Sequence, residues 1–115
     1  MELTTKRRET PITLDGTQYV LRELDGVGRD EFLQYTTRNI RLDENGKPEL
    51  TNNDLRGQSA MLISMSLLDP EKNFVPAFPK EIIQTWPSSA IEELYKESVR
   101  LSGLDRRAKE TAKNA

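Results

Sequence analysis

The sequence contains no cysteine and no histidine. These absences exclude disulfide bonds, zinc sites built from Cys and His, thiol nucleophiles, and every catalytic pair in which a histidine activates a serine or a cysteine. They also remove the side chain best suited to proton transfer near neutral pH. Aromatic residues are scarce as well, with one Trp, three Tyr and three Phe, so we expect each ring to be committed to packing.

The remaining residues do not predict an enzyme or a bound metal. The six glycines form no phosphate-binding loop. Two carboxylate pairs, Asp30 with Glu31 and Glu92 with Glu93, are adjacent in sequence, so on a helix they point apart instead of converging on one substrate atom. The acidic segment 43–48 is not followed by the closing glutamate of a calcium loop. We predict no catalytic residue, no cofactor and no metal ion.

Long apolar runs and an excess of positive charge are also missing. The longest apolar stretch, residues 60–68, is interrupted by two serines and is too short to span a bilayer. No apolar run follows the first charged residues, which argues against a secretory signal. Residues 11–104 carry a net charge of −5, against +1 for residues 1–10 and +2 for residues 105–115. We therefore expect a soluble, cytoplasmic protein that binds neither membrane nor nucleic acid.

A chain of 115 residues has room for one domain. We expect a flexible N-terminus over residues 1–10, a single α+β domain over 11–104, and a charged C-terminal tail over 105–115. The tail favours helix but has almost no apolar face, so we expect it to fray.

A β-hairpin is predicted near the N-terminus. Asp15 and Gly16 stand between two β-compatible runs, and Asp-Gly suits a type I′ turn because both central residues need positive φ. A two-residue loop pairs Leu14 with Thr17. This register collects the apolar side chains on one face, which needs helices packed on it: Ile12, Leu14, Tyr19 and Leu21.

Helical periodicity predicts the elements that cover this face. A first helix is expected over 27–41, with Phe32, Leu33, Thr36 and Ile40 at helical spacing, and a second over 54–68, with N-cap candidates at 51–54. A short helical turn over 80–85 precedes a final helix, which Ser89 and Glu92 would begin with a capping box and Gly103 would end. The predicted fold class is α+β, an N-terminal β-hairpin packed against a small bundle of three to four helices.

The proline-punctuated connector 74–79 and the tryptophan that follows it are the candidate binding site. Extended backbone beside aromatic residues can bind a strand or a helix of a partner, and Trp is enriched at binding hot spots. The alternative is that these side chains fold back and cap the helical layer. The predicted partner-binding residues are Phe74, Val75, Phe78 and Trp86.

Several local phrases occur together in a recognisable order. They are ITLDG at 12–16, YVLREL at 19–24, Gly26 with RDEFL at 29–33, PKEII at 79–83, WPSS at 86–89, LSGLD at 101–105, and the closing KN at 113–114. In this order, over about residues 10–115, the sequence resembles the tail assembly chaperones of long-tailed bacteriophages and their prophage-encoded relatives.

The resemblance implies a transient, non-catalytic function. Such chaperones coat the long, helical, hydrophobic tape measure protein before the tail tube polymerises around it, so the expected partner is the tape measure protein, with the major tail protein as a second candidate. The expected location is the host cell cytoplasm, with the chaperone absent from the mature virion. Many are made in two forms, the longer by a translational frameshift near the end of the shorter, and this chain would be the shorter form. Avidity along a long client would favour self-association.

Two other classes of protein are alternatives. A structural virion component, such as a small tail tube or head–tail joining protein, would need more β-strand and long sheet edges that polymerise. A small transcriptional regulator would need a compact helix-turn-helix and a basic surface. One predicted hairpin and an acidic body favour the binding protein over both.

Overall fold

A computed structural model of the protein describes residues 1–39, 41–42, 44–45, 48–49 and 52–104. The elements follow in the order β1 (Glu9–Leu14), β2 (Thr17–Arg22), α1 (Gly26–Asn39), β3 (Arg41–Leu42), β4 (Pro48–Glu49), α2 (Asn52–Ser66), β5 (Leu67–Asp69), β6 (Val75–Pro76), α3 (Lys80–Ile83) and α4 (Ser88–Leu101), with a short 3-10 helix, Pro70–Lys72, between β5 and β6. The predicted α+β class, an N-terminal hairpin followed by helices, is confirmed.

The hairpin forms with the predicted turn and register. Asp15 and Gly16 both have positive φ, 49° and 83°, which is the backbone that a type I′ turn requires. Leu14 lies opposite Thr17, and Ile12 lies opposite Tyr19. Side chains therefore alternate between a face that points to the helices and an outer face that points away from them.

The hairpin is half of a larger sheet that the sequence did not predict. The strand order is β1-β2-β5-β6, all pairs antiparallel. The prediction that a helix continues to Leu68 is wrong, because α2 ends at Ser66 and the next three residues form β5. Leu67 lies opposite Leu21 and Leu68 opposite Val20. Both leucines are buried, one on each face of the sheet, which a strand allows and one helical face does not.

The first helix also ends earlier than predicted, and a second small sheet follows it. Helix α1 ends at Asn39, and Arg41, which we assigned to the helix, begins β3, which pairs with β4. Several residues of these predictions lie outside the described ranges: Ile40, residues 43, 46 and 47 of the acidic segment 43–48, the N-cap candidate Thr51, and the tail 105–115.

The start of α4 differs from the prediction, whereas its end agrees. Pro87 occupies the N-cap position without a side-chain hydrogen bond, and Ser89 already lies in the first helical turn. The capping box of Ser89 and Glu92 is therefore wrong: Pro87, extended at ψ 142°, starts the helix before Ser89 reaches a capping position. At the other end Gly103 has φ +69°, the left-handed stop that was predicted.

The core lies between the inner face of the sheet and helices α2, α3 and α4. Its central residues are buried and come from all of these elements. Partly buried side chains of the hairpin and the connector pack against them. Burial of seven such side chains supplies the main favourable term in folding. The central residues are Leu21, Ala60, Ile63, Leu67, Ile83, Leu94 and Leu101.

Replacing Gly16 by Ala should destabilise the protein by about 1 kcal/mol or more, because an L side chain at φ +83° is strained. No atom lies within 4 Å of the added Cβ, so the effect isolates the backbone. The matched control is Gly26→Ala, where the Cβ also meets no atom within 4 Å and φ is not positive. Urea unfolding measures both variants, and equal effects would contradict the turn assignment.

Candidate partner-binding surface

Three aromatic rings form a continuous row on the side of the sheet that faces the helices. The ring of Phe78 lies between the other two, with its centroid 5.3 Å from that of Tyr19 and 5.0 Å from that of Trp86. The second pair is edge-to-face at 81°, an arrangement that the aromatic quadrupoles favour. All three side chains are half-buried and pack against the core.

The row borders a surface depression of about 340 Å³ near the hairpin turn. Its lining combines the aromatic rings with small apolar residues, and one carboxylate stands at its margin. Such a depression can accept an apolar side chain of a partner. The lining residues are Leu14, Asp15, Thr17, Tyr19, Phe78, Trp86, Pro87 and Ala90.

Backbone hydrogen bonds in the connector fix these rings. The amide of Ala77 donates to the carbonyl of Leu67 at 3.0 Å, which extends the β5–β6 ladder to the residue before Phe78. Pro79 then starts α3, and the amide of Trp86 donates to the carbonyl of Ile83 at 3.0 Å. Phe78 and Trp86 are therefore set by two different elements, β6 and α3, at either end of one short turn.

Phe74 is placed on the opposite, outer face. Asn73 and Phe74 both have φ near +59°, a conformation that costs a bulky residue about 1–3 kcal/mol. The amide of Phe74 donates to the carbonyl of Asp69 at 2.9 Å. The guanidinium of Arg22 lies 4.1 Å from the centroid of the ring, within cation–π distance, and Arg22 is itself paired with Glu9 at 2.9 Å.

A second, larger groove of about 900 Å³ runs between β1 and α4. Tyr95 and Val99 contribute apolar walls, and burial raises the pKa of the Tyr95 hydroxyl. Charged side chains of both signs surround them. The groove is lined by Ile12, Glu92, Glu93, Leu94, Tyr95, Lys96, Glu97, Val99 and Arg100.

Polar contacts tie the hairpin to the C-terminal end of α4 beside this groove. The hydroxyl of Thr10 donates to the carboxylate of Glu97 at 2.7 Å, and a guanidinium nitrogen of Arg100 donates to the same carboxylate at 2.8 Å. The guanidinium of Arg8 donates to the carbonyl of Leu101, which satisfies a backbone group that the helix end leaves open. The amide of Leu24 donates to the hydroxyl of Ser102 at 3.1 Å.

Comparison with known proteins identifies the family. Residues 7–115 match the family described as "Bacteriophage lambda tail assembly chaperone, TAC, protein G". The chain belongs to this family. Among solved structures, that of the bacteriophage HK97 tail assembly chaperone is similar, at 18% sequence identity and a TM-score of 0.55, over 83% of this chain and 85% of that one. At this identity the likeness supports the fold. No curated protein sequence matches the chain.

The tail assembly chaperone family was predicted from the sequence, and this prediction is confirmed. Membership implies partners among phage tail proteins. None of the helices in the described ranges is long and apolar enough to cross a membrane. In the same ranges, no group of three or more acidic residues could hold a metal ion.

The four predicted binding residues of this chaperone divide into two groups. Phe78 and Trp86 come together with Tyr19, whereas Phe74 lies under Arg22 on the outer face. Val75 is 45% exposed and Phe74 39% exposed. Tyr19 was assigned from the sequence to the inner face of the hairpin, but its place beside Phe78 depends on the β2–β5–β6 pairing, for which no local signal exists. The partner-binding role of the four residues stays a prediction.

The chaperone should lose stability in acid partly through Glu97. Hydrogen bonds from Arg100 and from Thr10 lower the pKa of its carboxyl from an ordinary 4.5 to about 2. Because the folded state binds this proton less readily than the unfolded chain, the stabilisation is present above pH 4.5 and is lost as the pH falls towards 2. Glu97→Gln should flatten the fall in melting temperature within this window.

The matched control for this prediction is Glu92→Gln, which removes the same charge from an exposed position of the same helix. Thermal unfolding followed by circular dichroism at several pH values from 5 to 2 measures all three proteins. An equal pH slope in wild type and Glu97→Gln would contradict the assigned hydrogen bonds.

Proposed function

We propose that this tail assembly chaperone binds the tape measure protein and keeps it soluble during tail morphogenesis. The proposal includes no catalytic step, places the protein in the host cell cytoplasm, and has it leave before the virion is complete. The observation that carries it is the depression bordered by the rings of Tyr19, Phe78 and Trp86. The connector that supplies Phe78 also exposes Phe74 and Val75 outside this depression, so one short segment offers apolar contact area to a client at more than one place.

The aromatic depression supports this function because its walls are rigid. Phe78 is held between two rings, and its backbone is held by the β6 ladder, so little conformational entropy remains to be lost when a partner side chain enters. A client with an exposed apolar helical stripe would find there an anchor point of the kind that dominates binding energy.

The charge of the chain supports the second half of the proposal. Residues 11–104 carry a net charge of −5, and net charge away from zero opposes aggregation. A complex that covers the apolar stripe of a client and presents acidic surface to water would stay dispersed. The major tail protein is a second candidate partner within the same family function.

Co-expression of the full chain with a fragment of the tape measure protein tests the proposal. We expect the two proteins to copurify and the soluble fraction of the fragment to rise. If the folded chain neither copurifies with the fragment nor changes its solubility, the proposed client is wrong. The major tail protein, co-expressed in the same way, distinguishes the two candidate partners.

Val75→Asp should weaken binding of the fragment by tenfold or more, about 1.4 kcal/mol, because it places a charge in an apolar contact. Ile82→Asp is the matched control, since Ile82 is 46% exposed and Val75 45% exposed, but Ile82 lies on α3 outside the predicted set. Titration calorimetry or a pull-down series measures both. Equal losses in the two variants would contradict the assignment of the connector.

Trp86→Ala should weaken the complex by about 2 kcal/mol or more if the tryptophan is a hot spot. Trp86 also packs against the core, so its removal will lower the melting temperature as well. Affinity is therefore measured per folded molecule, with folding checked by circular dichroism. A lower melting temperature with unchanged affinity would show that Trp86 is a core residue.

A further inference from the structure

One row of residues crosses the whole four-stranded sheet and has a proline at each end. Pro11 on β1 lies opposite Val20 on β2, Val20 lies opposite Leu68 on β5, and Leu68 lies opposite Pro76 on β6. In the part of the chain that the structure describes, β1 and β6 are the two edges of this sheet. Proline has no backbone N–H, so its placement on an edge decides which donors that edge presents.

On β1, Pro11 occupies a position whose backbone points away from the sheet. The amide of Glu23 donates to the carbonyl of Arg8 at 2.8 Å, so the pair of residues 8 and 23 is hydrogen-bonded. Hydrogen-bonded and open pairs alternate along an antiparallel ladder. Pro11 and Val20 therefore form an open pair, and the backbone groups of Pro11 point outward, as do those of Glu9 and Thr13.

On β6, Pro76 occupies the equivalent outward position. The amide of Ala77 donates to the carbonyl of Leu67, so residues 67 and 77 form a hydrogen-bonded pair and the pair of Leu68 and Pro76 is open. The other residue of the strand, Val75, lies opposite Asp69 and turns its backbone inward. Strand β6 consequently presents no outward N–H donor.

We infer that Pro11 and Pro76 close both edges of the sheet to strand addition, so that neither a second copy of this chain nor an extended segment of a partner can lengthen it. An added strand at β1 would lose its central donor, and one at β6 would find none. Exposed sheet edges are templates for aggregation, and outward prolines block them. Polar Glu9 and Thr13, both exposed, occupy the remaining outward positions of β1.

The closed edges also specify how a partner can be held. Backbone pairing is the usual contact for a strand that joins a sheet, whereas an amphipathic helix needs only side chains and a groove. The inference therefore deepens the proposed function, on which this part rests: the client is bound through side chains, as a helix. The closure of the edges does not depend on the identity of the client.

Pro11→Thr and Pro76→Thr test the closure by restoring an outward donor with a strand-forming residue. If two copies pair β1 with β1 around position 11, each contact regains two donors, so Pro11→Thr should self-associate at a concentration about tenfold below that of wild type. Pro79→Thr is the matched control, because Pro79 precedes α3 and lies on neither edge. Sedimentation velocity over a concentration series measures association, and circular dichroism confirms folding.

Two results would overturn the inference. One is that Pro11→Thr and Pro76→Thr both fold and associate no more than wild type and Pro79→Thr. The other comes from amide exchange of the wild-type chain, in which the outward amide of Thr13 should exchange about a hundredfold faster than the inward amide of Ile12. Equal protection of these amides would mean that the β1 edge is covered by something other than solvent.

The self-association and amide-exchange experiments contain no client protein. A negative result in them therefore contradicts the closed edges and leaves the proposed client binding untouched. If the edges prove to be closed but the chain does not bind the tape measure fragment, only the identity of the client is wrong. A last experiment co-expresses the tape measure fragment with the Pro76→Thr variant and measures the affinity of the variant for the fragment. We expect its affinity per folded molecule to stay within about twofold of wild type, because no backbone donor takes part in the contact.

Discussion

The pairing of Leu67 and Leu68 with Leu21 and Val20 joins the hairpin to the rest of the chain. Strand β5 has only three residues, yet it turns an isolated hairpin, which is marginal in water, into a four-stranded sheet. Helix α2 enters β5 directly, so the helical layer and the sheet are joined without a loop. Both leucines are buried, one on each face of the sheet, so both faces of this short strand are covered.

The position of the connector follows from the same strand. Strand β6 has no partner other than β5 in the described part of the chain, and the ladder ends where Ala77 contacts Leu67. Phe78 therefore reaches Tyr19 because β5 lies between β2 and β6. Phe74, before β6, is placed on the other side of the sheet, under Arg22. One short strand thus determines which aromatic residues meet and which are separated.

The sequence predicted what local interactions decide. The Asp-Gly turn and the glycine at Gly103 require positive φ, and both positions have it, so the hairpin register and the end of α4 were correct. The run at residues 60–68 is apolar apart from Ser64 and Ser66, and such a run fits a buried strand as well as a helix. The choice between strand and helix was decided by pairing with a strand more than forty residues earlier. The periodicity of the run itself cannot show such a pairing. The pairing of Phe78 with Trp86, and the separation of Phe74 from both, depended on that same contact.

The proposed function requires the protein to expose apolar surface to a client without its sheets pairing edge to edge. In this chain the two requirements fall on different groups of the same sheet. In the proposed function, aromatic side chains of the connector would supply contact area on the faces, whereas Pro11 and Pro76 remove backbone donors from the edges. A backbone N–H on an open edge can pair with any extended chain, whatever its sequence, whereas a shaped depression selects particular side chains. Closing the edges therefore restricts the partners to those with an apolar face that fits the depression. The closure depends on two prolines, a residue type with low β-strand propensity.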